Sequence, residues 1–269
     1  MKRLFTFAAL LFAVMSIMAQ DEKVAVCIGE MKNNSQKSDI VAKNLRNEIM
    51  QGIIDKDRLT VVDITTLGSM PTNKNERLAL LNGKGIEFAI EGTMNSVDVK
   101  KSDKYWVAEI NYTLTILETA TGITKFTETY KDSWHIGSTS DEAILKAIEQ
   151  AKGRMAKFVD DNFKVEAVIK ALDQVDPKKG VKTCYITIGS AAGIDKGQIF
   201  EVFIEAEVAG EKIQKKIGEV RAKEVMSAKL TLCDVKSGGM EIKENFEKNV
   251  RMTVISRAKK PGLGGILSL

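Results

Sequence analysis

The stretch Gly85-Ile86-Glu87-Phe88-Ala89-Ile90-Glu91-Gly92-Thr93 predicts a short buried strand that is closed by a glycine. A polar turn is expected next, over residues 95–104, and a long two-stranded ribbon follows it. The first strand of this ribbon, residues 105–118, alternates apolar and polar side chains, and residues 123–134 return as its partner. Helical patterns lie on both sides, so the first half of the chain predicts an α/β domain with a mixed sheet.

The other elements of this domain follow from apolar periodicity. Two further strands are predicted over residues 24–29 and 59–64, which are apolar or β-branched runs. A stripe with a four-residue spacing predicts a helix that begins at Ser38 or Asp39; its members are Val41, Leu45, Ile49 and Ile53. A short helix over 75–81 should end at Asn82-Gly83.

A long helix, capped by one of the residues Ser138, Thr139 and Ser140, should close the first domain near Phe163. The second half then changes character. After a short helix over 165–172, several strand-like segments are punctuated by glycines, and no convincing amphipathic helix is found; the segments are 183–188, 198–208, 211–227, 229–235 and 250–256. This pattern predicts a small β-barrel or sandwich.

The predicted fold class is therefore α+β, with an α/β domain over 21–163, a β-domain over 164–258 and a flexible tail over 259–269. Residues 1–20 predict a signal peptide, because Lys2 and Arg3 precede an apolar run from Leu4 to Met18. Cleavage is expected near Ala19 and Gln20. An uncleaved anchor is the alternative, and no cysteine stands near the cleavage point to support a lipoprotein.

Removal of the signal peptide lowers the formal net charge from +4 to +2 (4 − 2). A nearly neutral mature chain with interspersed charges gives no electrostatic reason to expect a nucleic-acid partner. The expected location is the periplasm, with association to the outer membrane as an open alternative.

No set of residues in the sequence predicts catalysis, a cofactor or a metal site. His135 is the only histidine, too few for a zinc site together with scattered cysteines, and no Gly-x-Ser-x-Gly segment is present to hold a serine nucleophile. Gly189, Gly193 and Gly197 lack the Lys-Ser/Thr end of a phosphate loop and are interpreted as turn glycines. The protein is predicted not to be an enzyme, although a pair of carboxylates for glycosidic chemistry stays open.

The three cysteines all fall in predicted strands, where a buried thiol is a small apolar group. Cys184 and Cys233 could form a disulfide in an oxidising compartment, and the sequence leaves this open. The ribbon from Tyr105 to Trp134 leaves a second question, since its strands are long enough to cross a membrane. Charges on both faces of the return strand favour packing on the domain's own helices.

This order of elements resembles the family of the curli-export protein CsgG, and the activator LpoB and the N-terminal domain of TolB look similar. Gly85, Glu87, Phe88 and Gly92 fit the family's pattern before the ribbon. The segment Gly193-Ile194-Asp195-Lys196-Gly197-Gln198-Ile199-Phe200-Glu201-Val202 resembles the C-terminal β-domain of the flagellar protein FlgT. The missing lipoprotein cysteine departs from CsgG and LpoB, and this chain offers a single candidate ribbon where the channel inserts two hairpins.

The resemblance implies a non-enzymatic exported accessory protein that docks on an envelope assembly, secretion or cell-wall synthesis machine. The alternatives are an oligomeric membrane-associated ring or export channel of the curli-export type, and a secreted hydrolase. The expected partners are envelope proteins, and a homo-oligomer is open. The predicted partner-binding residues lie on the polar face of the ribbon's first strand: Glu109, Asn111, Thr113 and Thr115.

Overall fold

The computed structural model describes residues 23–257, except for the side chains of residues 133 and 134. The predicted signal peptide and the predicted tail from residue 259 onwards lie outside the described residues. The chain forms two compact units, of which the first comprises Lys23–Phe163 and the second begins at Lys164. Its class is α+β, and the first unit contains the mixed sheet that the sequence predicts.

The first unit is a five-stranded sheet with helices on both faces. Its elements are β1 (Ala25–Asn33), α1 (Asp39–Asp55), β2 (Thr60–Asp63), a 3₁₀ turn (Ile64–Leu67), α2 (Lys74–Gly83), β3 (Phe88–Lys101), β4 (Trp106–Glu118), β5 (Thr124–Gly137) and α3 (Ser140–Asn162). The strand order is β2-β1-β3-β4-β5. Strand β1 is parallel to β2 and to β3, whereas β3, β4 and β5 form antiparallel pairs.

Helices α1 and α3 pack together on one face of this sheet, called the inner face here. They bury Leu45 and Ile49 from α1 and Phe158 from α3 against alternate residues of the strands, such as Ile90 and Tyr112. The ribbon of β4 and β5 is therefore packed on helix α3 of the same domain, as predicted from the charges on both faces of the return strand. The alternation of buried and polar residues along β4 is the period of two that marks a half-buried strand.

Two element boundaries in this unit differ from the predictions. The predicted polar turn over 95–104 is wrong, because β3 continues to Lys101. A bulge between Met94 and Ser96 shifts the register, so that Val97 and Val99 still face the core while their polar neighbours face outwards. Helix α2 runs through Gly83, and the left-handed residue after it is Gly85 (φ +76°).

The second unit is a closed barrel of six strands in the order β10-β11-β12-β9-β6-β13. The barrel strands are β6 (Glu166–Leu172), β9 (Thr183–Ile186), β10 (Ile199–Val208), β11 (Glu211–Ser227), β12 (Leu230–Ser237) and β13 (Met252–Arg257). The short pair β7 (Val175–Asp176) and β8 (Gly180–Val181), a 3₁₀ turn (Ser190–Ala192) and helix α4 (Gly239–Glu247) complete the unit. Of the two predicted architectures, barrel and sandwich, the barrel is the one observed.

Two predictions for this unit are wrong. The helix predicted over 165–172 is instead strand β6 (Glu166–Leu172), because Val165, Ala167 and Ile169 alternate into the barrel core, a spacing of two. The unit also contains the amphipathic helix α4, which is held by the fully buried Ile242 and the partly buried Phe246. These two residues are four apart and lie on one helical face.

Cys184 and Cys233 are directly opposite each other on β9 and β12, and both are free thiols with no exposed surface. The backbone N–H of Val235 donates to the carbonyl of Lys182 (2.8 Å), two residues along the same ladder. The cysteines therefore occupy a hydrogen-bonded pair, where Cβ atoms lie near the upper end of the ~4.5–5.5 Å range. A disulfide needs Cβ atoms about 3.5–4.5 Å apart, so this register favours two separate thiols.

Candidate docking surface

The face of the sheet opposite α1 and α3, called the outer face here, carries the four predicted partner-binding residues. Glu109, Asn111, Thr113 and Thr115 alternate along β4 with core residues such as Ile110 and are all half-buried. Strand β4 lies between β3 and β5, so neighbouring strands flank these side chains on both sides. The structure thus brings the predicted residues together on one surface.

Hydrogen bonds and an ion pair link these side chains across the strands. The Asn95 amide donates to Asn111 Oδ1 (2.9 Å) and to Thr113 Oγ1 (2.9 Å). The hydroxyls of Thr113 and Thr129 share a hydrogen bond of 2.9 Å, and Lys131 pairs with Glu109 at 3.0 Å. Cross-strand pairs of this kind fix the side-chain rotamers, so the surface is polar and already ordered.

A groove of about 790 Å³ lies beside this polar surface on the same face. Its floor is formed by outer-face residues of β1 and β3, and its walls by the segment 64–72 and helix α2. Glu91 and Thr93 line the groove and are also the cross-strand partners of Thr115 and Thr113. Groove and polar surface are therefore continuous, and they are together called the outer surface below.

The chain topology creates this groove. Helix α1, which follows β1, packs on the inner face, whereas α2, which follows β2, packs Leu78 and Leu81 against the outer-face residues Cys27 and Ala89. The helices that follow the two adjacent parallel strands β1 and β2 thus pack on opposite faces of the sheet, and a crevice opens beyond the carboxyl ends of these strands. Ligand sites of open α/β sheets lie at such positions.

Arg46 of α1 holds the end of this crevice. Its Nε donates to the carbonyl of Gly29 (2.7 Å) and its Nη2 to the carbonyl of Ile28 (3.0 Å), while the guanidinium also pairs with Asp63. Burial alone would raise the pKa of Asp63, but hydrogen bonds from Arg46 and Thr65 outweigh it and lower this pKa to about 2. The ion pair ties α1 to both parallel strands.

A second ion pair spans the groove itself, where Arg77 of α2 contacts Glu91 Oε1 at 2.9 Å. Sequence reasoning missed both ion pairs. One indication was available for Arg46, since it follows Leu45 directly on the buried side of α1, where a charge requires a partner. The groove residues come from three separate segments, and no local pattern marks them.

Two side chains of chemically reactive types, Cys27 and His135, lie on opposite faces of the sheet. Cys27 lies at the groove floor with no exposed surface, and burial raises the pKa of its thiol to about 11. His135 of β5 lies on the inner face, because its cross-strand partner on β4 is the core residue Ala108. Burial lowers the pKa of His135, although Asp132 acts in the other direction. Among residues 23–257, no group of three His, Cys, Asp or Glu side chains could hold a metal ion.

The described part of the chain contains no helix whose length and apolarity would let it cross a bilayer.

Gly193 and Gly197 both have positive φ angles (+62° and +85°), in agreement with their interpretation as turn glycines.

No protein-family model matches the sequence, and no curated protein does. Several solved structures are similar to the chain. The PelC dodecamer from Paraburkholderia phytofirmans is 10% identical, with 50% of this chain and 86% of that chain covered and a TM-score of 0.38. Lipoprotein GNA1162 from Neisseria meningitidis is 8% identical, with coverages of 48% and 94% and a TM-score of 0.36.

The C-terminal domain of LpoB from Salmonella enterica is 10% identical, with coverages of 46% and 90% and a TM-score of 0.29. LpoB is also one of the proteins named in the resemblance drawn from the sequence. The resemblances to CsgG and FlgT stay predictions. At these identities and TM-scores, the likeness assigns no function to this chain.

Proposed function

We propose that the chain is a non-enzymatic, exported accessory protein of the bacterial cell envelope, and that it docks on an assembly, secretion or cell-wall synthesis machine through its outer surface. Export rests on the sequence of residues 1–20, where two basic residues precede an apolar run. Docking rests on the continuity of the groove with the polar surface of β4 and β5.

The order of the outer surface favours docking of a protein. Association costs free energy for each flexible side chain that is immobilised, roughly 0.5–1.5 kcal/mol. The hydrogen bonds among Asn95, Asn111, Thr113 and Thr129 fix these side chains before any partner arrives. Each of the two threonine hydroxyls can still form at least one more hydrogen bond, because a hydroxyl can donate one hydrogen bond and accept two.

The adjacent groove supplies the other element of a protein interface, a pocket for an anchoring side chain. Its deep end is apolar, with Cys27, Ile64 and Ala89 all buried, while Arg77 and Glu91 stand at its mouth. An apolar side chain of a partner would bury in the deep end, and polar groups beside it would meet both charges.

A ring formed by insertion of the β4–β5 ribbon into a membrane is less compatible with this architecture. The inner side of β4 contributes Ile110, Tyr112 and Leu114 to the core beneath α3. Even if these three side chains entered lipid, the apolar face of α3 in the same core, which includes Ile148 and Phe158, would be exposed to water at a cost of about 1.5–3 kcal/mol for each side chain. The docking role requires no such rearrangement.

The test places a photo-crosslinking residue at Thr113 or Thr129 in the full-length protein in cells. We expect covalent adducts with one defined envelope protein, identified by mass spectrometry, and we expect Thr113→Arg to abolish adducts formed from Thr129. Thr60, an exposed residue of the edge strand β2, provides the matched control, since Thr60→Arg should leave these adducts intact.

Cell fractionation and the folded state are measured on the same strains. A Thr113→Arg protein that keeps its near-UV circular dichroism and still forms the wild-type adducts would show that the outer surface is not the docking site. A wild-type protein recovered from the cytoplasm with its first twenty residues intact would contradict export itself.

A further inference from the structure

The hairpin of β10 and β11 extends beyond the barrel. Strand β10 pairs with β13 only as far as Ile204, and β11 pairs with β12 only from Glu219 onwards. The two strands continue to pair with each other up to Val208 and Glu211. Residues 205–217, called the arm here, therefore form a two-stranded ribbon with no further strand on either side within the described part of the chain.

One face of the arm carries accessible apolar residues beside Glu211 and Lys215. Ala206 and Ile213 are cross-strand partners, and Val208 follows on the same side; Val208 is 56% exposed and Ile213 is 42% exposed. Ala209 and Gly210 form the turn with positive φ angles (+53° and +85°), as a tight hairpin turn requires. An isolated two-stranded ribbon is marginally stable in water. A partner that pairs with its edges would stabilise it.

The two edges of the arm carry opposite charge. The β10 edge contains Glu205 and Glu207 and no basic residue, for a net charge of −2. The β11 edge contains three lysines and one glutamate, for a net charge of +2 (3 − 1); these residues are Glu211, Lys212, Lys215 and Lys216. The charges of the arm are therefore complementary to those of a second copy only when the β10 edge of one copy meets the β11 edge of the other.

We propose that the arm is a self-association surface, on which a second copy of this chain aligns the basic β11 edge of its arm with the acidic β10 edge of the first. Main-chain hydrogen bonds between the two open edges supply the attraction, as in other cases of strand addition. The pairing is antiparallel when both arms point in the same direction, because β10 runs towards the turn and β11 away from it.

Charge selects this arrangement over the two symmetric ones. Pairing of β10 with β10 would place Glu205 and Glu207 against the same residues of the other copy, and pairing of β11 with β11 would place lysines together. Like charges directly opposite each other destabilise a strand pair. When β10 of one copy pairs with β11 of the next, each acidic β10 strand instead lies between two basic strands, its own β11 and the β11 of the other copy. Such a contact uses different patches on the two copies, so a pair of copies still has one unpaired edge at each end. Further copies can add there, and the assembly grows into a ring or a filament.

Ion pairs within the arm leave the lysines available for this contact. Lys212 lies 2.7 Å from Glu205, and the two side chains are 76% and 67% exposed. Pairs with this exposure contribute little stability and are screened by salt. A lysine ammonium has three N–H donors, so each lysine can bridge to a carboxylate of the second copy without loss of the first contact.

Sedimentation velocity of the mature full-length chain tests the proposal at low and at high ionic strength. We expect association that increases with protein concentration and weakens with salt. Two charge-reversal variants sharpen the test: Glu205→Lys/Glu207→Lys makes both edges basic, and Lys212→Glu/Lys216→Glu makes both acidic. All four residues lie on one face of the ribbon. Each variant alone should associate about tenfold or more weakly, because the cross-copy contacts on this face then join like charges.

An equal mixture of the two variants should regain the association of the wild type, since a basic arm then meets an acidic arm. Glu224→Lys/Glu241→Lys is the matched control, because both glutamates are exposed and lie outside the arm; its association should equal that of the wild type. A wild type that stays monomeric at low salt, a reversal variant that associates normally, a control that loses association, or a mixture that stays monomeric would each overturn the proposal.

Discussion

The ion pair between Arg46 and Asp63 gives the sharpest test of how the crevice is held. We expect Asp63→Asn to destabilise the first unit by about 3 kcal/mol, the lower end of the range for an ion pair that is broken on one side in a buried site. Arg46 is only 6% exposed and would lose its counter-charge. It would keep the carbonyls of Ile28 and Gly29 as acceptors, which is why we expect the lower end.

The pKa of Asp63 gives an independent estimate of the same interaction. A carboxyl whose pKa falls from 3.8 to about 2 on folding contributes about 2 kcal/mol. Since the folded pKa is the lower one, this contribution is fully present above about pH 4 and is lost as the pH falls towards 2. The stability difference between wild type and Asp63→Asn should therefore shrink over this pH window.

Urea unfolding followed by tryptophan fluorescence measures the effect in the full chain. Both tryptophans of the sequence, Trp106 and Trp134, belong to the first unit, so their emission reports this unit and not the barrel. With a slope of about 2 kcal/mol per molar urea, a loss of 3 kcal/mol lowers the midpoint by roughly 1.5 M.

Asp57→Asn is the matched control, because Asp57 makes an exposed ion pair with Lys23. An exposed pair is worth about 1 kcal/mol or less, so the control should lower the midpoint by no more than about 0.5 M. Equal shifts for Asp63→Asn and Asp57→Asn would refute the reasoning that burial makes the Arg46 pair strong.

Two further predictions concern close packing and thiols. Gly52→Ala should destabilise the first unit by about 1–3 kcal/mol in the same urea assay, because an added Cβ would lie 2.5 Å from the carbonyl of Lys152 and 2.8 Å from Cβ of Met155. Cys184 and Cys233 should remain reduced in protein purified from the periplasm and react with iodoacetamide only after unfolding, since both are buried and burial raises the pKa of each thiol. A mass spectrum of the unfolded, unreduced protein with neither cysteine labelled would contradict this.

The sequence allowed most of the first unit to be predicted, because each of its elements has its own apolar period. Strand β4 is the clearest case, since Ile110, Tyr112 and Leu114 alternate with the polar residues of the outer surface. The end of β3 could not be predicted in this way. The bulge after Met94 inserts one residue, and the period of two therefore restarts on the other parity at Val97.

The helix predicted over 165–172 shows a different limit. Eight residues with apolar side chains at most positions fit either the helical period or the strand period, and the choice depends on partners that are distant in the chain. Strand β6 finds them in β9 and β13, up to about 90 residues away. The groove was not predictable for the same reason, since its lining comes from residues 27–32, 64–72 and 77–93.

Closure of the barrel by β6 and β13 has a consequence for protein engineering. Val165 precedes the first barrel strand directly, and Ser256 lies one residue before the end of the last strand. These two residues exchange two hydrogen bonds of 2.9 and 3.0 Å. Entry and exit therefore lie side by side. A short linker could join them and a new opening could be made at the Ala209-Gly210 turn, which yields a circular permutant with an unchanged strand order. Because its entry and exit points are adjacent, the barrel could also be inserted as a domain into a single loop of another protein.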